Sequence, residues 1–274
     1  MGLTKAMDTK RWVFVLFCNT PFLKRAFKTI RQAQSIGQWK DDIVLLVSQE
    51  LFKNERLQVI SKQLNIILRE IPERNFDSIM NIWKKNSQHK NYVYAMTRPF
   101  IYNKFHIFDI YFKQWDVVFY LDAGAEIQGP LERMKQACIP TNLLYAHSNG
   151  YPNYEWKLSN EFDITLFKNE ENKKVFIDTY SPFFDRDYFQ STLCIYDTKI
   201  IEPDTVTRLF ELSEKYPIAL HMDQGILNLY FNCERNLWKQ IPVSDSIGLL
   251  YDYHERDGHL TKDYLIIKYG HTII

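Results

Sequence analysis

The sequence predicts an α/β protein, a mostly parallel central sheet flanked by helices, and three observations predict it. From Trp12 to Arg69, apolar runs of strand length alternate with stretches of helical spacing, the order that builds a parallel sheet with right-handed crossovers. Further along, WDVVFYLDAGAEIQG (Trp115 to Gly129) contains an almost unbroken apolar run, Val117 to Leu121. Such a run suits a strand covered on both faces. Finally, there is no internal repeat, low-complexity tract or linker, so the 274 residues are read as a single domain, with residues 1 to 10 loose.

In order, Trp12 to Cys18 is the first strand. It follows Lys10 and Arg11 and so loosely mimics a signal peptide, but it is short and no small-residue cleavage site follows. Pro21 to Gly37 has apolar residues at Phe22, Ala26, Phe27, Ile30 and Ala33, a helical spacing closed by Gly37. Asp42 to Val47 is the second strand, Asn54 to Leu64 a helix, and Asn65 to Arg69 a short third strand. Residues 70 to 96 read as polar and irregular. Tyr102 to Phe112 is a helix feeding the strand of Val117 to Leu121, and Leu131 to Gln136 a short helix. Strands follow at Leu143 to His147 and Tyr188 to Tyr196, with helices at Glu171 to Tyr180, Asp204 to Tyr216 and His221 to Phe231. Trp238 to Val243 and Tyr264 to Ile267 are closing strands.

Hydrophobic residues make up 46% and charged residues 24%, the balance of a globular protein. A net charge of +1 gives no electrostatic grip on nucleic acid. No stretch approaches the ~20 apolar residues of a membrane span. The four cysteines lie far apart without a CxxC pair, and the histidines lack helical metal spacing, so a zinc site is not expected. Buried free thiols point to a reducing, cytoplasmic setting. The aromatic share of 15% suits a packed core and also a surface for sugar rings; the loop with Tyr151, Tyr154 and Trp156 fits either.

Three stretches carry candidate chemistry. Asp122 and Gly124 stand at the carboxyl end of the Val117–Leu121 strand, the edge where open α/β sheets bind ligands, although Asp and Gly are also ordinary turn residues. Lys104 precedes them on the feeding helix, within reach of an anion there; a lone lysine is more often solvated. Asp223 and Gln224 open a helix, where a carboxylate is commonly a cap and where an Asp–Gln pair also suits sugar hydroxyls.

Taken together, CNT at Cys18 to Thr20, NKFHIF at Asn103 to Phe108, WDVVFYLDAGAEI, YFQSTLCIYDT and MDQGILNLYF resemble, in the same order, glycosyltransferases of the GT-A fold. The retaining glycogenin and galactosyltransferase-like group, family 8, is the nearest in pattern. The resemblance implies a Rossmann-like GT-A domain. It implies that Asn19 and Thr20 line a nucleotide-base pocket, that Lys104 touches the donor, that Asp122 faces the ribose or the metal–diphosphate, and that Asp223 and Gln224 hold the donor sugar near its anomeric carbon. Gln190 and Ser191 occupy the family's FNSG position, with Gln for Asn and Thr192 for Gly. Two positions depart further. Gly124 stands where the family's DxD motif has its second Asp, and Lys268 falls where its closing motif has a manganese-binding His.

Breaking a sugar–phosphate bond puts negative charge on the leaving nucleotide, and a cation must meet it. Either Lys268 and Lys104 replace the ion, or a divalent ion, manganese by resemblance, is held by Asp122 and His271 with Glu126 further off. The second is the expectation adopted. The functional expectation is therefore a nucleotide-sugar-dependent hexosyltransferase. It takes a UDP-sugar donor and a glycan or protein hydroxyl acceptor, and it retains anomeric configuration. The alternatives are a catalytically weak sugar-nucleotide-binding protein, favoured by Gly124 and Lys268, and a sugar nucleotidyltransferase, disfavoured because CNTPFLKR has no glycine.

Overall fold

A computed structural model describes residues 10–72, 74–253 and 259–269. The chain begins β1 (Trp12–Cys18), a 3-10 turn, α1 (Leu23–Ser35), β2 (Asp42–Val47), α2 (Gln49–Phe52), α3 (Glu55–Gln63) and β3 (Ile66–Glu70), close to the sequence reading. It continues with α4 (Asp77–Lys85), α5 (Tyr92–Met96), 3-10 segments Pro99–Phe108 and Ile110–Gln114, then β4 (Val117–Leu121). The middle holds β5 (Glu126–Ile127), α6 (Glu132–Ala137), β6 (Leu144–Ser148), α7 (Glu170–Tyr180), β7 (Phe189–Asp197) and α8 (Thr205–Lys215). Last come α9 (Asp223–Leu227), which runs on as a π-helix over Asn228–Glu234, β8 (Trp238–Gln240), β9 (Leu249–Tyr253) and β10 (Tyr264–Lys268).

The main sheet has seven strands in the order β3-β2-β1-β4-β7-β6-β8, and only β7 runs against the rest. β4 sits at its centre, parallel to β1 and antiparallel to β7. Its side chains alternate: Val118 and Tyr120 enter one hydrophobic layer, and Val117, Phe119 and Leu121 the other. Both faces are thus sealed, which is why the run lacks polar residues. This is the α/β architecture expected, a mostly parallel central sheet between helices.

Two readings are corrected. Residues 70 to 96 are not irregular: α4 buries Ile79, Met80 and Trp83, one helical face that polar neighbours mask in sequence. Tyr102 to Phe112 is not one helix but two 3-10 runs. Asp109 breaks them, accepting from Tyr111 N at 2.8 Å and from the Arg69 guanidinium at 3.3 Å.

A second sheet, β5-β10-β9, was not foreseen as a unit. β5 follows directly on the Asp122–Gly124 turn and pairs antiparallel with β10, Ile267 opposite Glu126. That pairing brings Lys268, the last residue of β10, back to the end of β4.

Candidate active site

Because β7 is reversed, its first residues lie beside the last residues of β4. The Asp122 amide donates to the Thr192 carbonyl at 2.8 Å, so Gln190, Ser191 and Thr192 share the rim with Asp122. α9 packs over them, and the Pro99–Phe108 segment passes beneath with Lys104.

Lys104 is the hub. Its ammonium lies 3.2 Å from Asp122 Oδ1 and 3.0 Å from Asp223 Oδ2, and it donates to Ser191 Oγ at 3.1 Å. Ser191 Oγ donates in turn to Asp223 Oδ2 at 2.7 Å. The Tyr120 hydroxyl donates to the same Asp122 oxygen that Lys104 holds. Burial on its own would depress the Lys104 pKa, but Asp122 and Asp223 outweigh it and raise the group above the ordinary lysine range. Burial pushes the Asp223 carboxyl up, while Lys104 and Ser191 pull against it. Its side chain is 1% exposed, whereas that of Asp122 is 20% exposed and faces open space.

Asp223 does not act as a cap: its side chain goes to Lys104 and Ser191. The residue before it, Met222, is held at φ 52°, a conformation costly for a side chain of this size. Gly225 has a packing reason. A Cβ there would lie 2.7 Å from Ala219 Cβ and 3.0 Å from the Phe162 ring. Only a bare backbone lets α9 sit this close.

Behind Gln224 lies Glu161, which is fully buried. It accepts from His221 N at 3.1 Å and from Gln224 Nε2 at 3.2 Å, and His221 Nδ1 lies 2.8 Å from its other contact point, Oε2. Gln224 Oε1 accepts from Ser191 N at 3.3 Å. Asn228 bridges α9 to β7 through Phe189 N and O at 3.0 and 2.8 Å. Asp223 and Gln224 are therefore clamped from below.

These groups line a cleft of about 540 Å³. It is lined by Arg25, Arg98, Lys104 and Lys268, and also by Tyr94, His221 and Trp156. Lys268 Nζ donates to the Ala123 carbonyl at 2.7 Å and stands 3.6 Å from where a Gly124 Cβ would be. Burial lowers the Lys268 pKa, and Lys104, Arg25 and Arg98 lower it further against the pull of Asp122. Gly124 itself has φ +88°, open to glycine and strained for a side chain. A hollow of about 130 Å³ adjoins the cleft and shares Phe22, Arg98, Lys104, Asp122 and Lys268 with it. Phe17 and Phe100, stacked at 5.6 Å, and Asn19 line its far side. Asn19 Oδ1 is buried with no hydrogen-bond partner among the described residues.

Of the expected residues, Lys104, Asp122, Gln190, Ser191, Asp223, Gln224 and Lys268 meet at one cleft. Gly124 is placed beside it by its contacts with Lys268 and Arg25, and Asn19 is next door. Thr20 departs from its expected place: it is exposed, its hydroxyl donates to Glu50 at 3.0 Å, and it lines neither hollow. His271 lies outside the described residues. Among the described residues no group of three or more His, Cys, Asp or Glu is placed to hold a metal ion. Arg25, Arg98, Glu161 and His221 were missed. Arg25, soon after CNTP, and Arg98, just ahead of the Lys104 segment, were the available signals.

No protein-family model matches the chain, and no curated protein matches it significantly. Solved structures do. The WbbM bifunctional glycosyltransferase, in its apo form, aligns with a TM-score of 0.58 at 16% identity over 98% of this chain. This chain spans 47% of WbbM's length. The galactosyltransferase LgtC, in complex with donor and acceptor sugar analogues, gives 0.55 at 15% identity, over 94% of this chain and 87% of its own. Core-mannan synthase A from Aspergillus fumigatus, in its Mn/GDP form, gives 0.51 at 7% identity over 85% and 73%. No helix among the described residues is long and apolar enough to cross a membrane. The fold matches that of the GT-A glycosyltransferases.

Proposed function

We propose that this protein is a glycosyltransferase that moves a hexose from a UDP-sugar to a hydroxyl of a glycan or protein acceptor, with retention at the anomeric carbon. The observation that carries the reading is the shared Lys104, which draws Asp122 and Asp223 onto one cleft at the carboxyl rim of the sheet. Ligands bind at that rim in open α/β folds.

The groups divide the donor between them. The hollow of Phe17, Phe100 and Asn19 takes the base. The orphaned Asn19 oxygen wants an N–H donor, which the uracil ring offers at N3. The diphosphate lies along Lys104, Lys268, Arg25 and Arg98. Asp223, Gln224 and Ser191 face the sugar and fix its hydroxyls. In the reaction the anomeric carbon–oxygen bond breaks and its electron pair passes to the β-phosphate oxygen, where the cations stabilise it. The acceptor oxygen forms the new bond from the same face, and its proton goes to the departing phosphate. Trp156, half-exposed at the mouth, borders a second hollow with Lys90, Asn91 and Asn160, and the acceptor sugar stacks there.

The test is a thermal-shift screen with UDP, GDP and CMP, followed by an assay for UDP released from UDP-hexoses. A shift with UDP and turnover of a donor support the reading; no shift with any nucleotide removes it. A second reading, a nucleotide-sugar-binding protein of little activity, is favoured by the engagement of both carboxylates by Lys104. It predicts the shift without turnover.

A further inference from the structure

We propose that the cleft neutralises a nucleoside diphosphate with its own side-chain cations, Lys268 foremost, and binds it without a divalent ion. This rests on the glycosyltransferase reading and specifies how its donor site works.

Four observations carry it. Gly124 supplies no side chain where the DxD resemblance expects a second carboxylate. The Lys268 ammonium fills the vicinity instead, 3.6 Å from the point a Cβ would occupy and anchored on the Ala123 carbonyl at 2.7 Å. The Arg25 side chain passes 3.4 Å from the same point, and Arg98 lines both hollows. Asp122, among the described residues the one carboxylate facing the cleft with appreciable exposure, already has an oxygen taken by Lys104 and Tyr120.

The charges decide between the two occupants. Arg25, Arg98, Lys104 and Lys268 oppose Asp122 and Asp223, which leaves the wall positive. A divalent cation entering beside Asp122 meets an ammonium within a few ångströms, and the other carboxylate lining the cleft among the described residues, Asp223, is buried and held by Lys104 and Ser191. Hard cations of this kind want several oxygen ligands at once, and the described residues do not provide them. A diphosphate complements the same wall directly through charge-assisted hydrogen bonds. The placement of Lys268 comes from the fold, because the β5–β10 pairing carries it to the end of β4.

The experiment is titration calorimetry with UDP on the full chain, in EDTA and then with added manganese. The expected result is UDP affinity equal within about threefold in the two buffers. Lys268→Met is expected to weaken UDP in EDTA by about tenfold or more and uridine by much less, and Lys268→Arg to recover most of the loss. Arg25→Gln, at a half-buried position of α1 that lines the cleft, gives an independent loss should Lys268→Met fail to fold. UDP binding that collapses in EDTA and returns with manganese overturns the inference and leaves the glycosyltransferase reading intact. Wild-type protein that binds UDP in neither buffer overturns both.

Discussion

Lys104 Nζ lies 3.0 Å from Asp223 Oδ2 and 3.2 Å from Asp122 Oδ1, one ammonium joining two carboxylates from elements far apart in the chain. Replacing it with methionine leaves Asp223 enclosed without its counter-charge. Removing one partner of such a buried pair costs about 3–5 kcal/mol. Lys104→Met is therefore expected to lower unfolding stability by that amount in a urea titration. An unchanged midpoint would show that the pair is energetically idle.

Asp223→Asn should behave differently. Burial already raises the carboxyl's pKa, so neutralising it removes a desolvation cost along with an attraction, and Ser191 and Lys104 can still hydrogen-bond to the amide oxygen. The melting temperature is expected to stay near wild type. Donor turnover should fall about a hundredfold, the scale of losing one preorganised charge. Wild-type turnover in this variant would remove Asp223 from the reaction.

Gly225→Ala tests the clamp on α9. The new methyl meets Ala219 Cβ at 2.7 Å and Phe162 at 3.0 Å, and neither is a flexible tip. Overpacking of this sort costs about 1–3 kcal/mol. Because the shift moves Asp223 and Gln224, UDP-hexose turnover should drop further than stability predicts, measured by paired denaturation and UDP-release assays.

Trp156→Ala separates acceptor from donor. Trp156 borders the cleft and the hollow of Lys90, Asn91 and Asn160. Loss of an aromatic platform is worth about tenfold in affinity. Transfer to an acceptor should fall by that factor, with UDP affinity and donor hydrolysis unchanged. A matching fall in hydrolysis would place Trp156 on the donor instead.

The Arg133–Asp245 clamp sets an acid limb. Arg133 donates to both Asp245 oxygens at 2.8 and 2.7 Å, and this guanidinium holds the carboxyl well below its ordinary 3.8. The unfolded chain takes up the proton first, so the contribution is present above 3.8 and is lost as pH falls below it. Wild type should lose about 1 kcal/mol more than Asp245→Asn between neutral pH and pH about 3. Equal losses in urea unfolding would exclude this pair as a source.

Strands whose both faces are covered were plain in sequence, because β1, β2 and β4 have nowhere to put a polar residue. Asp122 followed from the end of the β4 run, and Asp223 from the opening of a helix. α4 was hidden because polar residues surround its three buried ones, and β9 because LLYDY is short. Arg25 and Arg98 look like any solvated arginines until the fold turns them inward. Thr20 shows the converse: it stands next to Asn19 in the CNT stretch, yet its hydroxyl goes to Glu50. The place of Lys268 depends on β10 finding β5 from far along the chain, and no local pattern encodes that.

The left-handed backbone at Met222 carries a consequence for engineering. A glycine there would relax the backbone but empty the space that the fully buried Met222 side chain fills in the core, a loss of about 2–5 kcal/mol or more that outweighs the relief of strain. The same relaxation would free the Asp–Gln pair to wander from the orientation that the kink imposes. At that one position endurance and a well-aimed site depend on the same side chain, because the core that encloses Met222 is what holds the kink in place.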